Sequence, residues 1–571
     1  MKNLSILIPD NLHINKRNFP SFFDFTEREK AKVHFETRRR DWIGLYGDYA
    51  SKLPVLQEKI EVLNRLSPED LMAYNVKGAN LFKISRAEIL AYVAVGAGWY
   101  DAAYPRTLVE IFQKLNSCNR MTLLQNMAAA WDWIIFWRNM LSDFPQFTHA
   151  CIFSGSLIYQ KSLIRVLSFT STKCMLMESS FTGNDFYCEE KYEHIANNCD
   201  IRHEAVFRAI SVADNEWGVE REKIKAINKI LLSKNKNVTQ PVQGSPIIFK
   251  NKNFPIVTIL GQVINDFSLL EYRNIGLSSI HFYKQLISDL LEVDCNIVFK
   301  SHPWESKKDN VKKSLTKDEL TNWMLSFPEE AQEKILFVDN YPIENLFKCS
   351  SWVAGINSQG LLEAAFHGLK PVQFGNAFFG EKGFTHDYEL NDTKGFLEKI
   401  KIESRSISAT KEGTMTLAEF DAFESFCTKL LQFQLVSIHN SGLMTLRRIF
   451  ADEDVIALVK KGAANPTATK VIVPNRPISL SAKEGVKPSA TKSATKDSSL
   501  PLASAAKRSS SSALAVASAE NNNSDLALGK VKSPSSFERK VKKFKVYPRK
   551  FFSDSSNPYV RWMRIFFKYK Q

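Results

Sequence analysis

Polar side chains follow an apolar run late in the chain, and their types suit recognition of a nucleotide. In "GINSQGLLEAAFHG", Ser358, Gln359 and Gly360 lie where a predicted strand meets a predicted helix, and Glu363 lies inside that helix. Free backbone N–H groups and the dipole at a helix start bind anions, while a carboxylate accepts hydrogen bonds from both hydroxyls of a ribose. The alternative is an ordinary helix cap followed by a solvated glutamate.

Two other predicted strands end in turns with reactive side chains. "FKSHPWE" carries Lys300, which adds positive field, and His302, which can donate to a phosphate or protonate a leaving group. "ILGQVINDFSLLE" carries Gln262 and Asp266 just past a strand. Asp266 has three interpretations: a nucleophile, a base, or the N-cap of the next helix. If each segment is considered by itself, Asp266 is favoured to be a helix N-cap. The His-Pro pair, considered in the same way, is favoured to lie in a plain loop.

A fourth turn lies in the first half of the chain. "ESSFTGNDF" places Glu178 at the end of a predicted strand and Asn184 in the turn that follows. These two side chains would face a cleft from the side opposite to the other three turns. This turn is the least specific of the four.

The elements that must position these residues alternate in type from about residue 250 onwards. Continuous apolar runs such as "FPIVTILGQ", "CNIVFKSHP" and "SWVAGIN" alternate with amphipathic helical segments. That alternation predicts a parallel sheet covered on both faces, with ligands at the carboxyl ends of its strands. The polar turns at 261–268, 300–305 and 357–360 all fall at such ends. In the first half, "SILIP", "HACIFSG" and "KCMLMES" are predicted strands, and 26 to 140 is mostly helical.

Composition limits the class of protein. The chain has 571 residues, 44% of them apolar, which is enough for more than one domain core. Eight scattered cysteines without a CxxC pair favour reduced thiols over a disulfide framework or a zinc site. The first residues lack the apolar region of a signal peptide, and no unbroken apolar run reaches membrane-spanning length.

The positive charge is concentrated at the end of the chain. From Lys530 to Gln571 there are thirteen Lys and Arg against two acidic residues, so this segment carries +11 of the formal +15. Its basic residues interleave with Phe, Tyr, Trp, Met and Ile, a pattern suited to an anionic membrane surface. Docking to a protein partner is the alternative, whereas the aromatic spacing disfavours nucleic acid. The preceding 461–529 is rich in Ala, Ser, Thr and Lys and is predicted to be a disordered linker.

The order of the motifs resembles one family. The chain carries, in order, Gln-x-x-x-Asp, Lys-x-His-Pro, and Ser-x-Gly-x-x-Glu-Ala with "GLKPVQFG" and "NAFFGEKGFTHDY". This order is similar to that of the capsule polysaccharide synthesis family of retaining β-Kdo transferases, the KpsS/KpsC-like enzymes. The resemblance covers roughly 150–390. It implies an α/β GT-B fold of two Rossmann-like halves with a cleft between them, here with a helical N-terminal elaboration. The corresponding expectation is an acceptor half at 1–240, a nucleotide-sugar half with closing helices at 241–460, the linker, and the tail at 530–571.

The resemblance also implies roles. Asp266 would attack the anomeric carbon of Kdo in CMP-β-Kdo, and His302 would bind or protonate the departing CMP phosphate. Ser358, with Gln359 and Gly360 at the helix start, would hold the same phosphate, Glu363 would take the ribose, and Gln262 and Lys300 would complete the donor site. Neither a metal nor another cofactor is expected. The enzyme would act on a lipid or glycan acceptor from the cytoplasmic side, peripheral to the inner face of the membrane, with other capsule-assembly proteins as possible partners.

Two alternatives remain from the sequence. One keeps the GT-B fold and changes the donor to CMP-sialic acid or a UDP-sugar. The other is a non-catalytic assembly factor that uses a degenerate transferase fold. The identity of the acceptor is not encoded in any motif of this chain.

Overall fold

The computed structural model describes residues 4–100, 107–144, 146–213, 215–231, 246–271, 278–307, 311, 313–404 and 413–451. The chain divides into two units, Met1–Ser481 and Ala482–Gln571. The second unit, with the predicted linker and tail, lies outside the described residues.

Fourteen strands are found in the described ranges. They are β1 (Ser5–Ile8), β2 (Lys32–Phe35), β3 (Asn75–Val76), β4 (Ala79–Asn80), β5 (His149–Phe153), β6 (Lys173–Ser179), β7 (Asp185–Glu190), β8 (Ile256–Leu260), β9 (Asn296–Lys300), β10 (Ile335–Val338), β11 (Trp352–Gly355), β12 (Val372–Gln373), β13 (His386–Asp387) and β14 (Leu435–Ser437).

Nineteen α-helices accompany them in the same ranges. They are α1 (Pro20–Arg28), α2 (Leu53–Asn64), α3 (Pro68–Ala73), α4 (Leu81–Val93), α5 (Ala97–Tyr100), α6 (Leu108–Cys118), α7 (Arg120–Asp143), α8 (Ile158–Leu167), α9 (Glu204–Ala209), α10 (Glu216–Leu231), α11 (Phe267–Leu270), α12 (Ser279–Leu291), α13 (Leu315–Met324), α14 (Glu329–Gln332), α15 (Ile343–Cys349), α16 (Gly360–Phe366), α17 (Thr393–Ser404), α18 (Leu417–Lys429) and α19 (Gly442–Phe450).

The first sheet has the order β14-β7-β6-β5-β1-β2. β2, β1, β5 and β6 run parallel, and β7 and β14 add an antiparallel edge. Alternate residues of β5 enter different core clusters, since Ala150 and Ile152 pack on one face of the sheet and Cys151 on the other. Both faces are therefore covered, as a nearly continuous apolar strand requires.

The second sheet is fully parallel, in the order β10-β9-β8-β11-β12-β13. Its central strands β8, β9 and β11 are the apolar runs that the sequence predicted. The predicted class, two α/β halves with parallel sheets, is confirmed. The chain first adds β9 and β10 on one side of β8 and then adds β11 on the other side. The topological switch point therefore lies between β8 and β11. The corresponding point in the first sheet lies between β1 and β5.

A helical insertion between β2 and β5 connects the two halves. Its helices α2, α4 and α7 pack around the aromatic pair Trp133 and Trp137, whose ring centroids are 5.3 Å apart. Tyr100, in α5, enters the core of the second half, and its hydroxyl donates to Glu319 on α13 at 3.1 Å. The predominantly helical character of 26–140 is as predicted, except that β2 and the two-residue strands β3 and β4 lie within it. β2 has only four residues at a sheet edge, which leaves little apolar pattern to detect.

The last described segment returns to the first half. β14 pairs with β7, and α19 packs on α1. Ser21 at the start of α1 donates from its hydroxyl to the Ser437 carbonyl at 2.6 Å. Residues from both ends of the described chain thus build the same sheet.

All eight cysteines are free thiols, six of them buried. No helix among the described residues is both long enough and apolar enough to cross a bilayer.

Candidate functional site

At the switch point of the second sheet, a pair of amide side chains joins the loops that follow β8 and β11. Gln262, after β8, accepts from the backbone N–H of Asn357, after β11, at 3.1 Å and donates to the Asn357 side-chain oxygen. Gln262 also donates to the Ser268 hydroxyl at 3.3 Å, and the two amides are only 5% exposed. The amide of Gln262, expected to contact substrate, is therefore used to join the two loops. Asn357 is a site residue that motif matching did not select.

Asp266 lies in the middle of these loops and caps the short helix α11. Its Oδ1 accepts from the backbone N–H of Ser268 at 2.8 Å. The cap interpretation is therefore correct as structure. On the β9 side, the backbone N–H of Ile264 donates to Glu305 at 3.3 Å. The β8 loop thus contacts the loops of both neighbouring strands.

The far end of α11 is anchored in the first half of the chain. Glu271, only 5% exposed, lies 2.6 Å from the Nζ of Lys161 on α8 and 3.6 Å from Arg86 on α4. Burial alone would raise the pKa of Glu271, but the charges of Lys161, His194 and Arg86 hold it below its usual value. Asn265, next to Asp266, donates to the Ala91 carbonyl at 3.1 Å. The helix insertion and α8 therefore fix the loop that carries Asp266.

His302 and Lys300 take different positions after β9. The Nδ1 of His302 accepts from the backbone N–H of Trp304 at 3.2 Å, so the neutral ring carries its proton on Nε2 and is a donor there. Lys300 is buried and donates to the carbonyls of Ser301 and Asp339. Burial lowers the pKa of Lys300 to about 8 against the attraction of Asp339. His302 thus lies in the turn that follows β9, whereas Lys300 stabilises the ends of β9 and β10.

The polar turn at 358–360 differs from the expected helix start. The helix begins at Gly360 and has seven residues, and the N–H groups of Gly360 and Leu361 already donate to the hydroxyl and carbonyl of Ser358. Within the described chain no hydrogen bond is made by the N–H groups of Ser358 or Gln359. A Cβ on Gly360 would lie 3.0 Å from Leu260 and 3.4 Å from Ile343. That glycine allows the helix to pack on β8.

Glu363 is half-buried on α16. Burial raises its pKa to about 7, and the nearby carboxylate of Glu344 on α15 adds to the rise. In the described part of the chain its carboxylate makes no hydrogen bond or ion pair. Its described neighbour is Glu344, and no contact with Asp266 is present.

Glu178 faces Asp266 from the first half. It ends β6 and accepts from the Ser154 hydroxyl and from the N–H of Ser179, the latter at 3.2 Å. Burial raises the pKa of Glu178 to about 7; these hydrogen bonds and the charge of His13 oppose the rise, and the negative charge of Asp266 adds to it. The charge of Asp266 is the smallest of these contributions to the pKa of Glu178. Asn184 lies further along the β6–β7 turn, where its carbonyl accepts from Ile438 N–H at 2.9 Å, and no side-chain contact joins it to Glu178.

Asp10 and His13, at the switch point of the first sheet, were missed by motif matching. They follow β1, and the signal was present: "LIPDNLH" is a polar turn directly after an apolar strand. His13 Nδ1 lies 3.0 Å from Asp10 Oδ1, and the Tyr159 hydroxyl donates to Asp10 Oδ2 at 2.6 Å. Both switch points thus carry ionisable side chains at facing strand ends.

A small cavity of about 200 Å³ lies elsewhere, lined by Ile248, Ile256 and Asn296 among others. It is at the amino ends of β8 and β9. Ligands of doubly wound sheets bind at the opposite edge, so we do not place the site there.

The class of protein follows from this geometry: two doubly wound halves with polar loops converging on one cleft form the GT-B fold expected for a glycosyltransferase. Residues 222–407, about a third of the chain, match the family described as capsule polysaccharide biosynthesis protein. The family resemblance predicted from the motifs is confirmed over that segment, which holds Asp266, His302 and Glu363. Among curated proteins, none matches the chain.

Solved structures resemble the chain at low identity. The β-Kdo 2,4 transferase of Thermosulfurimonas dismutans KpsC is 14% identical, with 49% of this chain and 79% of that one covered and a TM-score of 0.33. The β-Kdo 2,7 transferase of the same protein is 12% identical, with coverages of 57% and 89% and a TM-score of 0.31. The spinosyn rhamnosyltransferase SpnG is 9% identical, with coverages of 78% and 99% and a TM-score of 0.27. With TM-scores this low, these structures carry no argument, and the resemblance to the capsule family rests on the sequence match over 222–407.

Proposed function

We propose that this protein is a glycosyltransferase of capsule or related surface-polysaccharide biosynthesis that transfers Kdo from CMP-β-Kdo with retention of configuration. The observation that carries the proposal is the position of Asp266. It lies at the switch point of the second sheet, inside the segment that matches the capsule family, and its charge adds to the raised pKa of Glu178. Retaining glycosyl transfer needs one carboxylate as nucleophile and a second group to manage a proton.

In the first step, Oδ2 of Asp266 attacks the anomeric carbon of Kdo, and the bond to the CMP phosphate oxygen breaks. The electron pair leaves with CMP, whose phosphate needs stabilisation of its charge. His302 donates to it from Nε2, and Ser358 and Gln359 donate from their N–H groups. Glu363 accepts from the ribose hydroxyls, while Lys300 and Gln262 hold the loops that carry the donor site.

In the second step, the acceptor hydroxyl attacks the same carbon from the opposite side. Glu178 takes the hydroxyl proton, the bond from carbon to Asp266 breaks, and the electron pair returns to Asp266. The pKa of Glu178, about 7, suits a group that must gain and lose a proton near neutral pH. Asn184, on the same side of the cleft, is the proposed hydrogen-bonding partner of the acceptor.

The test is a donor screen followed by intact-protein mass spectrometry. We expect CMP-Kdo to leave a Kdo-sized adduct on a peptide that contains Asp266, and CMP-sialic acid and UDP-sugars to leave none. Asp266→Asn should abolish the adduct and keep the fold, because asparagine also caps a helix. Asp70→Asn, at an exposed first-turn carboxylate of α3, is the matched control and should react normally.

Each other outcome has a definite meaning. An adduct from another nucleotide sugar would keep the double displacement and change the donor. Release of CMP without any adduct would contradict Asp266 as nucleophile. Binding of no nucleotide sugar by the folded wild-type protein would favour the assembly-factor alternative.

A further inference from the structure

A buried carboxylate close to His302 takes no part in the steps above. Glu305 begins a single 3₁₀ turn, Glu305–Lys307, shortly after the His-Pro pair, and it is fully buried. Its backbone N–H donates to the carbonyl of His302 at 3.1 Å. Together with the bond from the Trp304 N–H to Nδ1 of the ring, this contact holds both the backbone and the ring of the histidine.

The side chain of Glu305 contacts two other elements. Oε1 accepts from the backbone N–H of Ile264, in the loop after β8, at 3.3 Å. The same oxygen accepts from the Thr316 hydroxyl at 2.8 Å, and Oε2 accepts from the Thr316 N–H, in the first turn of α13, at 3.0 Å. One carboxylate thus joins the loop after β8, the turn after β9 and the start of α13.

The loop on the β8 side is the one that carries Asp266. Ile264 is the second residue of a turn in which the Asp266 N–H donates to the Val263 carbonyl at 3.0 Å. Asp266 therefore lies within one turn of the N–H group that Glu305 accepts, and His302 lies within one turn of Glu305 along the chain. Two short turns, both bonded to Glu305, hold Asp266 and His302 in a fixed relation.

A carboxylate is a costly choice for a purely structural contact at this position. In the described part of the chain Glu305 makes no ion pair, and the charge of Asp318 that acts on it is negative. Burial raises the pKa of Glu305, although the three hydrogen bonds from Thr316 and Ile264 oppose the rise. A neutral cap would satisfy the start of α13 without a buried charge. What the carboxylate adds is a third hydrogen bond, to the loop that carries Asp266.

We propose that Glu305 is a positioning residue that holds the nucleophile Asp266 and the phosphate donor His302 at the separation that the first step requires. The proposal rests on the function proposed above. In that step Asp266 attacks one side of the anomeric carbon while the phosphate oxygen leaves from the other, so both side chains must be correctly placed at the same moment. Because it is fully buried, Glu305 contacts no substrate and acts only through the two turns.

The experiment is a double-mutant cycle on the rate of adduct formation. Full-length protein is mixed with CMP-Kdo, and the Kdo-sized adduct is followed by mass spectrometry in wild type, Glu305→Gln, His302→Ala and the double variant. An amide accepts at only one of its two ends, so Glu305→Gln loses at least one of the three bonds. We expect Glu305→Gln to slow adduct formation by about tenfold or more when His302 is present, and by less than about threefold when it is Ala.

Ile264→Pro tests the same contact from the other side. Proline is favoured at the second position of a turn, and it lacks the N–H that donates to Glu305. This variant should show the same dependence on His302, and it keeps the proposal testable if Glu305→Gln does not fold.

Thr316→Val is the matched control. It removes the hydroxyl that donates to Glu305 from α13 and leaves the bond from Ile264 in place. It should lower the melting temperature without slowing adduct formation.

The two proposals fail in different ways. A wild-type protein that forms no adduct contradicts the proposed function. Folded Glu305→Gln protein that forms the adduct at the wild-type rate, or that is slowed by the same factor with and without His302, contradicts the positioning role alone. Thr316→Val protein slowed as much as Glu305→Gln would also contradict that role, because capping of α13 would then account for the loss.

Discussion

At the scale of single residues, the site combines two carboxylates whose environments raise their pKa to about 7. Burial is the main cause for both Glu178 and Glu363, and a second carboxylate adds to each: Asp266 in one case and Glu344 in the other. Keeping either carboxylate ionised in such a buried position opposes folding. Groups with raised pKa values concentrate at functional sites for this reason, which supports roles for both glutamates.

Glu363→Gln tests this conflict between stability and function. A glutamate whose pKa is raised from 4.5 to about 7 in the folded protein lowers stability as pH rises from about 4.5 to about 7, and the full loss is present above that range. We therefore expect the variant to melt at a higher temperature than wild type at pH 8, with a much smaller difference at pH 5. Its KM for CMP-Kdo should increase by about tenfold or more at pH 8, since hydrogen bonds to a charged group contribute about 1.5–3 kcal/mol.

Thermal melts at the two pH values and donor kinetics at pH 8 check the prediction. Glu344→Gln removes the neighbouring carboxylate and serves as the comparison. It should also raise the melting temperature at pH 8 while leaving KM near the wild-type value. An unchanged KM in Glu363→Gln would contradict the ribose-binding role.

At the scale of elements, the short helix α11 is held by contacts with both halves, and these contacts fix the position of Asp266. Four residues cannot form a stable helix alone, so its position depends on its ends. The N-terminal end is tied to Asn357 through Gln262 and Ser268, and the C-terminal end is tied to Lys161 and Arg86 through Glu271. The nucleophile belongs to the second half by sequence, and it is positioned by the first.

Lys161→Met should show that dependence. Removing one partner of a buried ion pair costs up to about 3–5 kcal/mol, and here Arg86 remains as the second partner of Glu271. We expect lower thermal stability and slower adduct formation, with little change in nucleotide affinity. Lys161→Met combined with Glu271→Leu should recover only part of the stability, because the buried Arg86 then loses its partner.

The control for this pair is Lys250→Met, which breaks an exposed ion pair with Glu333 and should change neither property. Adduct formation at the wild-type rate in a folded Lys161→Met protein would show that α11 needs no anchor in the first half.

At the scale of the whole molecule, the chain combines one two-half catalytic body with a basic, aromatic C-terminal segment. The helical insertion packs on the first half through α7 on α8, and on the second half through Tyr100 on Glu319 and α4 on α11. Lys530 to Gln571, outside the described residues, carries +11. We propose that this segment recruits the enzyme to an anionic membrane surface, where a lipid-linked acceptor would be available.

Vesicle binding tests the recruitment. Full-length protein should bind vesicles that contain anionic lipid and dissociate as salt is raised, while protein ending at residue 460 should not bind. Each basic residue near such a surface contributes about 1 kcal/mol, so replacing Arg561, Arg564 and Lys568 by Gln should weaken binding by about 100-fold.

Neutral vesicles provide the control, and no form should bind them tightly. Equal binding of the full-length and shortened proteins to anionic vesicles would contradict the role of the tail, as would binding that is insensitive to salt.

The sequence determined the class of the fold and the order of its elements. Apolar runs of four to seven residues must be buried on both faces, which dictates parallel strands covered by helices and places polar turns at their carboxyl ends. Residues such as Asp266 and His302 could be selected for that reason. β2 escaped detection, because a four-residue edge strand carries little pattern.

Only the tertiary structure decided how these residues divide the work. Gln262 joins loops, Lys300 is buried against carbonyls, and burial raises the pKa of Glu178 and Glu363 to about 7. Local pattern does not encode such relations, because burial and charge at one residue depend on groups that approach through space. The sequence alone therefore determines which side chains reach the strand ends, and the packing of the two halves determines which of them meet.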